Sequence, residues 1–248
     1  MNTSRTALIT GAASGIGAAI ATRLAADGAS VALLARRRDR LEKVAAEVTA
    51  AGGTALVVPA DVTEPDSVAE AAALVQNRLG DLDLLVNNAG LMRVVPFADG
   101  PLDDWRRIVD VNVTGVITVT HAFLPALRRS AATRTTDLIN VSSLAGERIN
   151  PGMAVYGASK SAVSHLTRTL RAELAPEGIR VTDLEPGMIG DTELADTFPP
   201  ELQAMVDDLR KTLPAVPVSE VADLVAYVIN RPRHVNLPHL LIQPSKEI

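Results

Sequence analysis

Tyr156 and Lys160 stand four residues apart, and Ser143 lies thirteen residues before the tyrosine. On a helix, positions i and i+4 share one face, so the lysine ammonium can sit beside the phenol and favour its phenolate form. A phenol so placed is a general acid/base able to work near neutral pH. The chain holds only two tyrosines and four lysines, which makes the spacing uncommon by chance. The competing reading is a tyrosine packed at a helix start with a solvated lysine beyond it.

A second group of residues could hold an anion. Thr10-Gly11-Ala12-Ala13-Ser14-Gly15-Ile16-Gly17 follows an apolar run and opens a helical stretch. Gly11, Gly15 and Gly17 permit a tight turn and let backbone N–H groups near Ser14 and Ile16 approach a pyrophosphate at a helix N-terminus. Simple turn geometry would use the same glycines. After the second apolar run the chain carries Arg36, Arg37 and Arg38. An NAD-binding protein tends to place an acid there for the adenosine ribose, whereas guanidinium groups attract a 2′-phosphate. Arginines at a helix start oppose the helix dipole and so need another reason. The pattern predicts NADP(H). Asp61-Val62, past the third run, can meet the adenine or serve as turn chemistry. Asn88, Ala89 and Gly90, with Asn87, bring amides and a glycine to a cofactor's ribose or form a braced turn. Asn112 is a poor helix-interior residue. If the helix opens there, its carbonyl can hold a water beside Lys160.

These residues must be positioned by alternating elements. Strands are expected at Thr6 to Thr10, Ser30 to Ala35, Ala55 to Pro59, Leu82 to Asn87, Leu138 to Ser142, Arg180 to Glu185 and near His239 to Gln243. Helices fit between, at about Gly15 to Gly28, Arg38 to Ala51, Glu64 to Leu79, Leu102 to Ser130, Val155 to Ala175 and Val218 to Asn230. This βαβα rhythm predicts an α/β fold, a doubly wound Rossmann sheet of seven parallel strands with helices on both faces, in a single domain over 1–248. Every motif above falls at a strand's carboxyl end. The stretch from Met188 to Pro217, with prolines at 199, 200, 214 and 217, departs from the rhythm and reads as a lid over the crevice.

Composition narrows the function. The absence of cysteine excludes a thiol nucleophile and Cys-ligated metal. His121, His165, His234 and His239 show no metal-ligand spacing, so no metal is expected. A net charge of −5 without a long basic tract argues against nucleic-acid or anionic-membrane partners. The N-terminal apolar run is too short for a signal peptide or span, so a cytoplasmic protein is expected.

Taken together, the glycine turn, Asn87 to Gly90, Asn112, Ser143, Tyr156-x-x-x-Lys160 and Pro186-Gly187 resemble the short-chain dehydrogenase/reductase family, over essentially the whole chain. The resemblance implies hydride transfer between a nicotinamide and a carbonyl/alcohol carbon. It assigns Tyr156 as acid/base, Ser143 as the carbonyl-polarising hydroxyl, Lys160 as ribose ligand and pKa modulator, and Asn112 as anchor of a relay water. Ser142 competes for the serine role, and the family's spacing selects Ser143. Pro186, Gly187, Ile189 and Thr192 should adjoin the nicotinamide. Thr192 comes six residues after Pro186 where the family usually has five, an insertion placed at Gly190. Glu185-Pro186-Gly187, Asp191 to Leu194 and the ending Leu241 to Ser245 look like the subgroup of NADP-dependent clavulanate-aldehyde reductases and 3-hydroxy-acid (serine) dehydrogenases.

Substrate walls are expected from Met92, Arg93, Glu147, Asn150, Met153 and Met188. The mostly aliphatic lining suits a small to medium aldehyde or ketone, with Arg93 or Arg148 available to a carboxylate. Homodimers or homotetramers would pair the helices at Leu102 to Ser130 and Val155 to Ala175, as the family's do. The alternative function is a non-catalytic NADP(H)-binding regulator or scaffold, although the chain keeps serine, tyrosine and lysine.

Overall fold

The structure is a computed structural model that describes residues 5–193, Gln203 and 214–246. Along the chain run β1 (Thr6–Thr10), α1 (Gly15–Ala26), β2 (Ser30–Ala35), α2 (Arg38–Ala50), β3 (Thr54–Pro59), α3 (Pro65–Leu79) and β4 (Leu84–Asn87). Then follow α4 (Leu102–Val109), α5 (Gly115–Ala131), β5 (Thr136–Val141), α6 (Ala154–Leu174), β6 (Ile179–Pro186), α7 (Val218–Ile229) and β7 (His239–Ile242). The strands form one seven-stranded sheet in the order β3-β2-β1-β4-β5-β6-β7. Every pairing is parallel. After β3 the chain crosses to the far side of β1, so strand order reverses between β1 and β4. A crevice opens at that switch point, outside the strands' carboxyl ends.

Strand alternation divides the interior into two layers. Ala7 and Ile9 of β1, Val31 and Leu33 of β2, and Leu84 and Val86 of β4 face one core, together with α1, α2 and α7. Their neighbours Leu8, Ala32, Leu34 and Leu85 face the other, filled by Phe123 and Leu127 of α5 and Leu174 of α6. Because both faces are covered, the strands read as continuous apolar runs rather than alternating ones. Each fully buried leucine or isoleucine contributes about 1.5–3 kcal/mol.

The helix expected from Leu102 to Ser130 is not continuous. A π-helical turn at Asp110–Thr114 separates α4 from α5. Asn112 explains the interruption, because its side chain is drawn to Leu91 and Ser159 and not left on the helix surface. Gly115 then lets the helix approach the end of β3. A Cβ there would lie 2.8 Å from Val62 Cγ2. The stretch Leu102–Ala131 is long and apolar enough to cross a bilayer. Here Val116, Val119, Phe123 and Leu127 turn its apolar side into the protein core.

At the strands' amino ends lies a buried ionic cluster. Arg5 pairs with Asp83 at 2.7 Å and Asp137 at 2.6 Å. Arg180 pairs with Asp137 at 2.7 Å, and Arg134 with Asp83 at 3.0 Å. Arg180 also donates to the carbonyls of Ile229, Arg231, Pro232 and Val235, fastening the end of α7 beneath the sheet. Burial pushes the Asp83 carboxyl up, and the charges of Arg5 and Arg134 oppose that shift.

Most of the expected lid lies outside the described residues. Its root is described. Ile189 and Val216 form a parallel bridge, with Gly190 N–H donating to Val216 O at 2.9 Å and Val216 N–H to Met188 O at 3.0 Å.

Candidate active site

The end of β5 and the start of α6 assemble the chemistry. Ser142 and Ser143 follow β5, and extended backbone sends them opposite ways. Ser142 Oγ donates to Asp183 Oδ1 at 2.5 Å and is buried. Ser143 instead hydrogen-bonds the Tyr156 side chain. Its Oγ also accepts from Ala145 N–H at 3.2 Å, which caps the short 3₁₀ turn Leu144–Gly146 and fixes the rotamer. The choice between adjacent serines thus follows from what each faces.

Tyr156 and Lys160 lie one turn apart on α6, both buried. Lys160 Nζ stands 5.9 Å from the Tyr156 ring centroid and donates to Val141 O at 2.8 Å. Burial lowers the Lys160 pKa to about 8, with Asp183 opposing the shift. Burial pushes the Tyr156 phenol up, and the Ser143 hydrogen bond draws it partly back. Burial, which i,i+4 spacing does not report, therefore opposes the lowering expected from Lys160.

Asn112 sits in the π turn and reaches across the site. Its Oδ1 accepts from Leu91 N–H at 2.7 Å, and its Nδ2 donates to Leu91 O at 2.9 Å and Ser159 Oγ at 3.0 Å. Ser159 Oγ in turn donates to Tyr156 O at 2.7 Å. The side chain therefore ties the segment after β4 to the helix carrying Tyr156 and Lys160. A Cβ on Gly90 would lie 3.6 Å from both Asn112 Oδ1 and Lys160 Nζ, so the glycine keeps the space beside them open.

At the switch point the glycine turn closes on the end of β4. Gly11 has φ +65°, and a Cβ on it would lie 2.9 Å from Ala89 Cα. Thr10 braces the turn, accepting from the N–H groups of Asn88 at 2.9 Å and Ala89 at 3.0 Å. Asn88 Nδ2 donates to Thr10 O at 2.9 Å. The Asn88 side chain, expected to meet a cofactor ribose, is thus spent on the turn, and Gly17 has no Cβ because that amide lies against it. Ser14 makes no side-chain cap on α1. The first amides of α1 have no intrahelical acceptor and suit an anion. A glycine cradle, a helix start and arginines beside it fit a dinucleotide's phosphates.

Arg36 lies at the end of β2, 3.9 Å from Asp61. With Asp61, Thr63, Arg107, Asp110 and Thr114 it lines a hollow of about 330 Å³. Val62, expected here as well, is buried in the second core beside it. Asp61 Oδ1 accepts from Thr63 N–H at 3.0 Å, so its turn role is present too. Arg107 escaped the sequence reading because nothing on α4 marks which of its polar residues faces the hollow. Arg37 reaches Glu193 Oε2 at 2.6 Å. Thr192 packs against Gly15, and Asp191 just before it has φ +52°. Gly187 N–H is spent on Ile242 O at 2.8 Å, Pro186 O lies 3.5 Å from Ser143 Oγ, and Ile189 joins the first core.

Around Tyr156 the structure gathers Met92 and, less buried, Val94, Ala145 and Met153. Met92 and Met153 are therefore at the site as expected, and Asn150 lies exposed in the loop before α6. Arg93 pairs with Asp104 at 3.6 Å, and Arg148 donates to Gln243 Oε1 at 2.9 Å. A substrate carboxylate would have to share either guanidinium. Glu147 turns to Glu185 and His239, with side-chain ligand atoms of all three within 4.8 Å of one another. His239, scattered in sequence, thus joins two carboxylates in space.

The fold and this site define a nicotinamide-dependent oxidoreductase of the Rossmann type. Residues 5–203 match the short chain dehydrogenase family, and the chain belongs to it. A serine 3-dehydrogenase of Rhizobium radiobacter is 36% identical over 98% of this chain and 95% of its own. Among solved structures, the closed form of a serine dehydrogenase complexed with NADP+ superposes with TM-score 0.89 at 30% identity, covering 98% of this chain and 96% of that one. An NAD+-bound xylitol dehydrogenase gives TM-score 0.86 at 30% identity, covering 97% and 98%.

Proposed function

We propose that the protein reduces small to medium aldehydes or ketones with NADPH and oxidises the matching alcohols in reverse. The observation that carries this reading is the buried Tyr156 phenol hydrogen-bonded to Ser143 with Lys160 one turn behind it. The glycine turn and first turn of α1, with Gly11, Gly15, Ile16 and Gly17, would hold the pyrophosphate. Arg36 and Arg37 would hold the 2′-phosphate, Asp61 and Val62 the adenine, and the backbone of Asn88, Ala89 and Gly90 the adenosine ribose. Lys160 and Tyr156 would hold the nicotinamide ribose, with Pro186, Gly187, Ile189 and Thr192 at the ring's carboxamide.

When bound, NADPH supplies the hydride. Ser143 and Tyr156 orient the carbonyl by donating to its oxygen, and Tyr156 Oη releases its proton as charge develops there. Fixed donors need not reorganise at that moment. Lys160 supports the resulting phenolate. Asn112 fixes α6 relative to the segment after β4, and its backbone carbonyl is the anchor offered to a relay water. Because Lys160 is charged below about pH 8 and neutral above, kcat/KM for NADPH, which reports the free enzyme, is expected to fall as pH rises through 8. A flat profile to pH 9 would show that Lys160 does not set it.

The fold does not choose the cofactor, since similar structures hold NADP+ or NAD+. The arginines do. A charge-assisted contact from Arg36 to the phosphate is worth about 1.5–3 kcal/mol, or roughly ten- to a hundredfold in affinity. Its head is 61% exposed, which favours the lower end of that range. Ala35→Asp with Arg36→Ala should exchange attraction for repulsion, so kcat/KM for NADPH and NADH is expected to cross over. An unmodified enzyme that already prefers NADH would overturn the assignment.

Screening aldehydes, β-keto acids and cyclic ketones by NADPH oxidation tests the activity itself. Folded protein that binds NADPH yet oxidises it with no carbonyl would favour the regulator reading. Leu102, Val109 and Ile117 leave apolar side chains exposed along α4 and α5, which supports pairing of these helices in a dimer or tetramer. The location we infer is cytoplasmic.

A further inference from the structure

Glu193 belongs to the short segment that leaves β6, yet its carboxylate lies across the phosphate end of the crevice. Oε2 accepts from Arg37 at 2.6 Å and Oε1 from Arg40 at 3.1 Å, both on or next to the first turn of α2. The Ser14 hydroxyl of the glycine turn bonds it as well. A serine of the phosphate turn and two arginines at the end of the neighbouring strand are the donor set a phosphate monoester would use. Here a carboxylate from a third element holds them. Thr192, one residue earlier, packs on Gly15, so two consecutive residues touch the turn.

We propose that Glu193 is a specificity-determining residue that competes with the cofactor's 2′-phosphate for Arg37 and Ser14. The inference rests on the assignment of the arginine cluster to that phosphate. A dinucleotide with the 2′-phosphate takes Arg37 from Glu193. One without it leaves the carboxylate in place. Glu193 thus lowers affinity for the phosphorylated cofactor. Arg36, held only at 3.9 Å by Asp61, is the arginine left to make first contact.

The partners are partly exposed, so each ion pair is weak, and two together set a modest factor. Calorimetric titration with 2′,5′-ADP and 5′-AMP isolates the phosphate from turnover. In Glu193→Gln, 2′,5′-ADP is expected to bind about three- to tenfold more tightly, with 5′-AMP unchanged. Weaker or unaltered 2′,5′-ADP binding would overturn the competition and make Glu193 a support for Arg37 instead. Equal tightening of both ligands would overturn it too, because the effect would not read the phosphate. Unmodified protein that binds both ligands alike would instead refute the arginine assignment, a result separable from these. Amide exchange at Thr192 and Glu193 gives a second readout. It should rise with NADP+ and stay level with NAD+, and a level or reverse pattern overturns the displacement of Glu193.

Discussion

Tyr156→Phe is expected to lower kcat by about 10² or more while NADPH affinity stays within a few-fold, in the range for loss of a positioned acid. The substitution removes one oxygen from a ring that is buried and packed among Met92, Ala145 and Met153, so the pocket keeps its shape. What disappears is the proton and the partner of Ser143. Single-turnover rates with NADPH and a good aldehyde would separate this step from product release. Near-normal turnover by folded Tyr156→Phe protein would end the case for Tyr156 as the acid.

Arg180→Leu is expected to cost about 3–5 kcal/mol of stability, the range for breaking a buried charge pair. Two consequences add up. Asp137 keeps Arg5 but loses its bidentate partner, at 2.7 and 2.9 Å, inside a cluster where its side chain is 1% exposed. The carbonyls of Ile229, Arg231, Pro232 and Val235 lose their common donor. For a chain of this length the thermal midpoint should fall by roughly 10 °C. The cluster lies at the opposite end of the sheet from Tyr156, so kcat measured well below the midpoint should hold. An unchanged midpoint would mean that water or rearranged neighbours replace those contacts.

The residues differ in how far sequence could place them. β1 and β2 were legible as apolar runs, because strands covered on both faces are mostly apolar. The doubly wound parallel sheet followed from the alternation of strands and helices. Tyr156 and Lys160 were legible because helical spacing pairs them, whereas Ser143 was preferred to Ser142 only through the spacing that the family resemblance implies. Asn112 was visible as an anomaly, but not its partners, since Leu91 and Ser159 come from two other elements. Asn88 kept two readings for the same reason: an amide at a strand end serves a cofactor or a turn equally well until Gly11 and Gly17 are seen against it. Glu193 and Arg107 depend on contacts between elements far apart in sequence. The pKa of Tyr156 depends on burial, which i,i+4 spacing does not report.

The parallel bridge between Ile189 and Val216 has a bearing on how such a protein can change over evolutionary time. The bridge joins two positions that are far apart in sequence. Closure entropy grows only as the logarithm of length, about 0.6 kcal/mol for each doubling. Chain length between the two positions can therefore drift at little cost to the sheet.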